Sequence, residues 1–143
     1  MRNLWSLPLR DNSLGKVDNM EQLPVKITVE QWNSWNIVSI EGKFVVKFVA
    51  EIRKALEPLK ERANPQIVLD LTKTTHLDSS AMTLMLNYQN RLTEKQGGLA
   101  VYGVNEDIMG IITIVGFDSF VPIYHSRSDF EHGVSPSVSS GQA

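Results

Sequence analysis

Cysteine is absent from the sequence, which removes disulfides, thiolate nucleophiles and cysteine-ligated metals in one step. A surplus of positive charge is also missing: 14 Lys and Arg stand against 16 Asp and Glu, a formal net charge of −2. Direct nucleic-acid binding calls for Lys and Arg concentrated against phosphates, so this balance argues against it. No apolar run approaches the roughly 18 to 20 residues of a membrane-spanning helix. The first 21 residues lack the apolar centre of a secretory signal, because Arg2, Asn3, Arg10, Asp11 and Asn12 interrupt it. The absence of cysteine is compatible with a reducing cytoplasm. Internal repeats of about 20 to 50 residues are lacking too, which excludes solenoids and propellers.

What is present suits one globular domain: 143 residues, 42% of them hydrophobic and 21% charged. Residues 1–22 read as a flexible N-terminal arm carrying Trp5, residues 23–132 as the folded unit, and residues 133–143, rich in Ser and Gly, as a disordered tail. In the folded unit, Val25, Ile27 and Val29 alternate with polar residues as in a half-buried strand. The turn-prone Asn33-Ser34 leads to a second apolar run, Asn36 to Ile40, that closes at Glu41-Gly42. The period then becomes helical, with Val45, Phe48, Val49, Ile52, Leu56 and Leu59 on one face and Pro58 near the end.

Gln66 to Leu71 reads as a buried central strand, followed by a polar linker from Thr72 to His76. Leu77-Asp78-Ser79-Ser80 opens a helix whose inner face is Ala81, Met85, Tyr88 and Leu92, and Gly97-Gly98 closes it. Leu99 to Tyr102 is a further strand. Asn105, with Glu106 and Asp107, caps a helix striped by Ile108, Ile111, Ile112 and Val115 and stopped by Gly116. A short strand from Phe120 to Tyr124 and a helical turn from Arg127 to His132 complete the unit. Strands alternating with helices after a hairpin predict an α/β fold: a mixed β-sheet of four to five strands packed against about four helices.

Chemical signatures are few. The phosphate loop G-x-x-x-x-G-K-[ST], the dinucleotide fingerprint G-x-G-x-x-G and the G-x-S-x-G nucleophile elbow do not occur. Of His76, His125 and His132, only His76 has an acidic neighbour, Asp78, and two ligands make a poor metal site. A triad of Ser79, His76 and Asp78 would crowd three groups onto adjacent loop positions. What remains is Asp78-Ser79-Ser80 at a strand-to-helix junction, where carboxyl ends of strands favour ligands. Unpaired amides there would stabilise a phosphate on a serine, although Asp and Ser are also ordinary helix caps.

Ile67-Val68-Leu69-Asp70-Leu71, Leu77-Asp78-Ser79-Ser80-Ala81, Arg91-Leu92, Gly97-Gly98-Leu99-Ala100-Val101-Tyr102-Gly103-Val104 and Gly116-Phe117 resemble, in this order, the STAS domain of anti-sigma factor antagonists. The resemblance runs from about Val25 to Phe130. It implies a cytoplasmic partner-switching protein, not an enzyme, that binds an anti-sigma factor with serine kinase activity. Phosphorylation of Ser79 would break the complex and a PP2C-type phosphatase would restore it, with Asp78 and Ser80 supporting the switch. ATP and magnesium would belong to the kinase, and the protein would need no cofactor of its own. The implied contact residues are Met82, Thr83, Leu86 and Met109, on a monomer or weak dimer. Two positions differ from the family pattern: Ala81 stands where Gly is usual, and Gly42-Lys43-Phe44-Val45 replaces Gly-Glu-Leu-Asp, leaving Val45 at the acid's place. These departures keep open a STAS scaffold or transporter-associated module without phosphorylation. A small enzyme or ligand-binding domain using the cleft at the strand ends is the reading from another class.

Overall fold

In a computed structural model describing residues 25–134, the chain forms a mixed sheet of six strands, with α-helices packed on both of its faces. Strand β1 (Lys26–Trp32) and strand β2 (Trp35–Phe44) form the expected antiparallel hairpin, from Lys26 opposite Glu41 to Trp32 opposite Trp35. Asn33 takes the turn's positive φ of 56°, which Asn tolerates better than most residues. Strands β3 (Gln66–Asp70), β5 (Gly98–Tyr102) and β6 (Ile123–Tyr124) add in parallel, giving the order β1-β2-β3-β5-β6.

The additional strand is β4 (Thr74–Leu77), which lies mostly in the segment read as a polar linker. β2 extends beyond its pairing with β3, and β4 pairs with that free end, bringing Leu77 opposite Phe44. Thr74 is buried there and its hydroxyl donates to the carbonyl of Ile40 at 2.7 Å. Only Thr74 and Leu77 of β4 are buried, a spacing that fits neither the alternation of a strand nor a helical stripe.

Helices α1 (Val49–Lys60), α2 (Ser79–Glu94) and α3 (Glu106–Val115) contribute to the main core with Val38, Ile40, Ile67, Leu69, Leu99 and Val101. The alternate residues Ile37, Val68, Ala100 and Tyr102 face the other way and meet Phe130 of α4 (Arg127–Val134). This two-sided burial explains why the central strands read as continuous apolar runs. Phe130 sits among Trp32, Trp35, Tyr102 and Tyr124, with ring centroids 5.1–5.7 Å apart. Gly97 passes so close to the backbone of Pro65 that an added Cβ would lie 1.7 Å from its carbonyl oxygen.

Several boundaries differ from the sequence reading. A 3-10 turn at Val46–Phe48 precedes α1, whose inner face is Ile52, Leu56 and Leu59, and Pro58 lies in its last turn. In α3 only Ile108 and Ile112 are buried, while Ile111 and Val115 turn outward. The final strand is confined to Ile123–Tyr124, because Phe117–Ser119 forms a 3-10 turn. Helix α4 takes in Gly133 and Val134, the first two residues assigned to the tail. The N-terminal arm with Trp5 and the rest of the tail lie outside the described residues.

The Tyr88 hydroxyl donates to the Glu57 carboxylate and ties α2 to α1. That bond, with Lys60 beside it, holds the Glu57 carboxyl below its ordinary range, while burial and the same bond push the Tyr88 phenol up. A depressed carboxyl pKa gives stability that is complete above the ordinary value of 4.5 and is lost as pH falls through the lower folded value. Acid titration of stability should therefore show a smaller loss in Tyr88→Phe than in the native chain; equal losses would contradict the tie. Phe130→Ala should cost about 3–5 kcal/mol in equilibrium denaturation, as for other buried aromatic truncations. A cost below about 1 kcal/mol would contradict the seating of α4 by this ring.

Candidate functional site

The pairing of β4 with the end of β2 places the start of α2 beside the segment that leaves β2. Asp78 occupies the junction with an extended backbone, φ −116° and ψ −176°, as an N-cap should. Its Oδ1 accepts from the Ala81 amide at 3.1 Å, and its Oδ2 accepts from the Val46 amide at 3.0 Å. One carboxylate thus caps α2 and tethers the loop after β2. The Asp78 amide donates to the Phe44 carbonyl at 3.4 Å, reinforcing the same join.

Ser79 is the first helical residue and is exposed, and among the described residues its hydroxyl makes no hydrogen bond. Ser80 is half-buried. Ala81 is fully buried in the main core, so its methyl faces inward and leaves the outer side of Ser79 open. On the facing loop Val45 is half-buried and Val46 is 67% exposed, so an apolar side chain lines the side where the resembling family carries an acid. Asp78, fixed by two amides, is the acidic group that the junction itself supplies.

Thr83 is exposed one turn beyond Ser79, and Met82 and Leu86 are half-buried against the core. Spacing of four and three places Met82, Leu86 and Gln89 on one helical stripe. Gln89 fixes its direction: the side chain accepts from the Leu99 amide at 2.7 Å and donates to the Phe120 carbonyl at 3.0 Å. The stripe therefore runs toward β5 and the turn after α3. Met109 belongs elsewhere, lining a hollow of about 220 Å³ with Val104, Ile123, Tyr124 and His125.

The structure adds residues that the sequence reading assigned inward or passed over. Ile111, Ile114, Val115 and Phe120 are 46%, 85%, 57% and 65% exposed, an apolar surface on α3 and its following turn. Its signal is present in the sequence, since α3 is nearly apolar all round and a helix lying on a sheet buries only one stripe. Among the described residues no group of three His, Asp or Glu is placed to hold a metal ion, and His76 is exposed with Nδ1 2.9 Å from the Thr75 hydroxyl. Among them also, no helix is long and apolar enough to cross a membrane.

The family model for the STAS domain matches residues 26–130. Solved structures share the fold. An anti-sigma factor antagonist from Mycobacterium paratuberculosis is similar with a TM-score of 0.70 and 20% identity over 77% of this chain and 93% of its own. An anti-sigma-factor antagonist (STAS) domain protein from Planctomyces limnophilus is similar with a TM-score of 0.65 and 20% identity over 71% of this chain and 91% of its own. The Bacillus cell fate determinant SpoIIAA in its phosphorylated form has a TM-score of 0.58 and 13% identity over 75% of this chain and 98% of its own. No curated protein matches in sequence.

The double use of Asp78 gives a discriminating pair of substitutions. Asp78→Ala should lower stability by about 1–2 kcal/mol and speed hydrogen exchange most at the Val46 amide, and less at the Ala81 amide, which also donates to the Asp78 carbonyl at 3.1 Å. Asp78→Asn keeps one acceptor oxygen, so one of the two amides should stay protected while the other is released. Unchanged exchange at Val46 in Asp78→Ala would refute the tether.

Proposed function

The chain belongs to the STAS domain family, and on that premise we propose that it is an anti-sigma factor antagonist controlled by phosphorylation of Ser79. Its partner in this reading is an anti-sigma factor with serine kinase activity, which brings ATP and magnesium. A PP2C-type phosphatase returns the protein to its binding state. The protein is a binder and a substrate rather than an enzyme, holds no cofactor of its own, and works in the cytoplasm as a monomer or weak dimer.

The observation that carries this reading is the open Ser79 hydroxyl at the first residue of α2, next to a carboxylate that is not free to move away. In the unmodified protein the partner covers Ser79, Ser80, Thr83 and the outer edges of Met82 and Leu86. The exposed apolar residues of α3 and its following turn extend that surface, while Met109, expected from the sequence to join it, lines the separate hollow beside Ile123 and Tyr124. A phosphoryl group on Ser79 adds about −2 charge at the centre of this contact. The free amides of the first helical turn are donors for it, while the fixed Asp78 carboxylate repels it. Withdrawing that charge from water beneath a partner is costly, so the complex dissociates.

The apolar Val45–Val46 loop favours one second reading. With no acid on the loop side of Ser79, the same surface suits a STAS scaffold or transporter-associated module that binds without modification.

Mass spectrometry separates the two. Protein recovered from its host, or incubated with the kinase partner and ATP, should carry phosphate on Ser79 that disappears in Ser79→Ala. Ser79→Asp should weaken partner binding by about tenfold or more. A tight partner complex unmodified at Ser79 and Ser80, with affinity unchanged by Ser79→Asp, would overturn the switch in favour of the scaffold.

A further inference from the structure

On the sheet face away from α1, α2 and α3, strand register builds two neighbouring rows. Ile37, Val68 and Ala100 form an apolar row beneath Phe130. Two residues further along the parallel strands, Thr28, Ser39, Asp70 and Tyr102 line up across β1, β2, β3 and β5. Asp70 and Tyr102 are the last residues of β3 and β5, at the carboxyl ends where open α/β sheets most often bind ligands. A cavity of about 350 Å³ opens over this polar row, walled by Arg127 from the start of α4 and edged by Lys26, Glu41 and Lys73.

The inner wall contains an unmet hydrogen-bonding group. Tyr102 is 1% exposed, and its buried hydroxyl has no hydrogen-bond partner among the described residues. Burial and the neighbouring Asp70 carboxylate, close enough to act on this hydroxyl yet outside hydrogen-bond geometry, push the phenol above the ordinary tyrosine range, so it stays a proton donor at neutral pH. The Asp70 carboxylate is held by the Thr72 amide at 2.9 Å and the Ser39 hydroxyl at 3.3 Å, which leaves lone pairs for a further donor. Arg127 is fixed between Glu131 at 2.8 Å and Glu30 at 3.3 Å and still has N–H groups to give. The cavity therefore offers cationic donors, a neutral buried donor and an anionic acceptor within one small space.

We propose that this cavity binds a small hydroxylated acid, with the acid group facing Arg127, Lys73 and the Tyr102 hydroxyl, and a hydroxyl of the same molecule donating to Asp70. A volume of about 350 Å³ holds roughly a dozen waters, which suits a ligand of about ten to thirteen non-hydrogen atoms. The site lies on the sheet face opposite the core beneath α2 and stands independently of phosphorylation at Ser79.

The test is an NMR titration of the full-length, isotope-labelled protein with glycerol 3-phosphate and, separately, with gluconate, so that phosphate and carboxylate acids are distinguished. Inorganic phosphate and glycerol serve as the two halves of the ligand. Shifts should gather at Ser39, Asp70, Thr72, Tyr102 and Arg127, and at least one two-function probe should bind at least tenfold more tightly than either half. Tyr102→Phe should weaken that binding by about tenfold while leaving the melting temperature of the free protein unchanged or raised, because the lost hydroxyl has no hydrogen-bond partner among the described residues. The proposal is overturned if neither probe shifts these residues, or if the halves bind as tightly as the probes. It is equally overturned if Tyr102→Phe destabilises the free protein, which would mean that the hydroxyl is already satisfied.

Discussion

The length of β2 is the constraint on which the rest of the molecule depends. With ten residues against five in β3, it runs past its neighbour and presents unpaired backbone groups beyond Ser39. Buried backbone groups must find partners, and β4 supplies them from Gly42 to Phe44. That pairing carries the chain to Leu77 and sets the position from which α2 departs. The location of Ser79 on the surface is thus an outcome of strand pairing on β2 as much as of its own helix.

The alternation along β2, β3 and β5 then divides the molecule into two unequal halves. One set of side chains meets three helices and forms the main core. Among the described residues the other set meets only the short α4 and its aromatic cluster, and these leave the ends of the strands uncovered. An exposed serine and a polar cavity arise on opposite faces of one sheet because the helical cladding is complete on one face and partial on the other.

Local physics made most of this readable from the sequence. The inner faces of α1 and α2 follow from spacing, the Asn105 cap and the left-handed Gly116 from residue chemistry, and the central strands from their apolar runs. What the sequence hid depended on contacts between distant segments. β4 shows no strand period because its partner, not its own pattern, makes it a strand. Ile111 and Val115 sit in a helix so apolar that periodicity cannot tell the inner flank from the outer one. The reach of Asp78 to Val46 spans 32 positions, and the row from Thr28 to Tyr102 exists only once four strands are in register.

The two-handed hold of Asp78 bears on how related sequences are to be read. A carboxylate that caps a helix and fastens a loop is required by the architecture whether or not the next residue is ever modified. Retention of an acid at this position across variants therefore reports selection on folding, since its loss releases two segments together. The serine is under no such structural obligation, for among the described residues its hydroxyl holds nothing in place. Among chains of this shape the aspartate is a signature of the scaffold, and it is the neighbouring hydroxyl that has to be followed to judge the proposed switch.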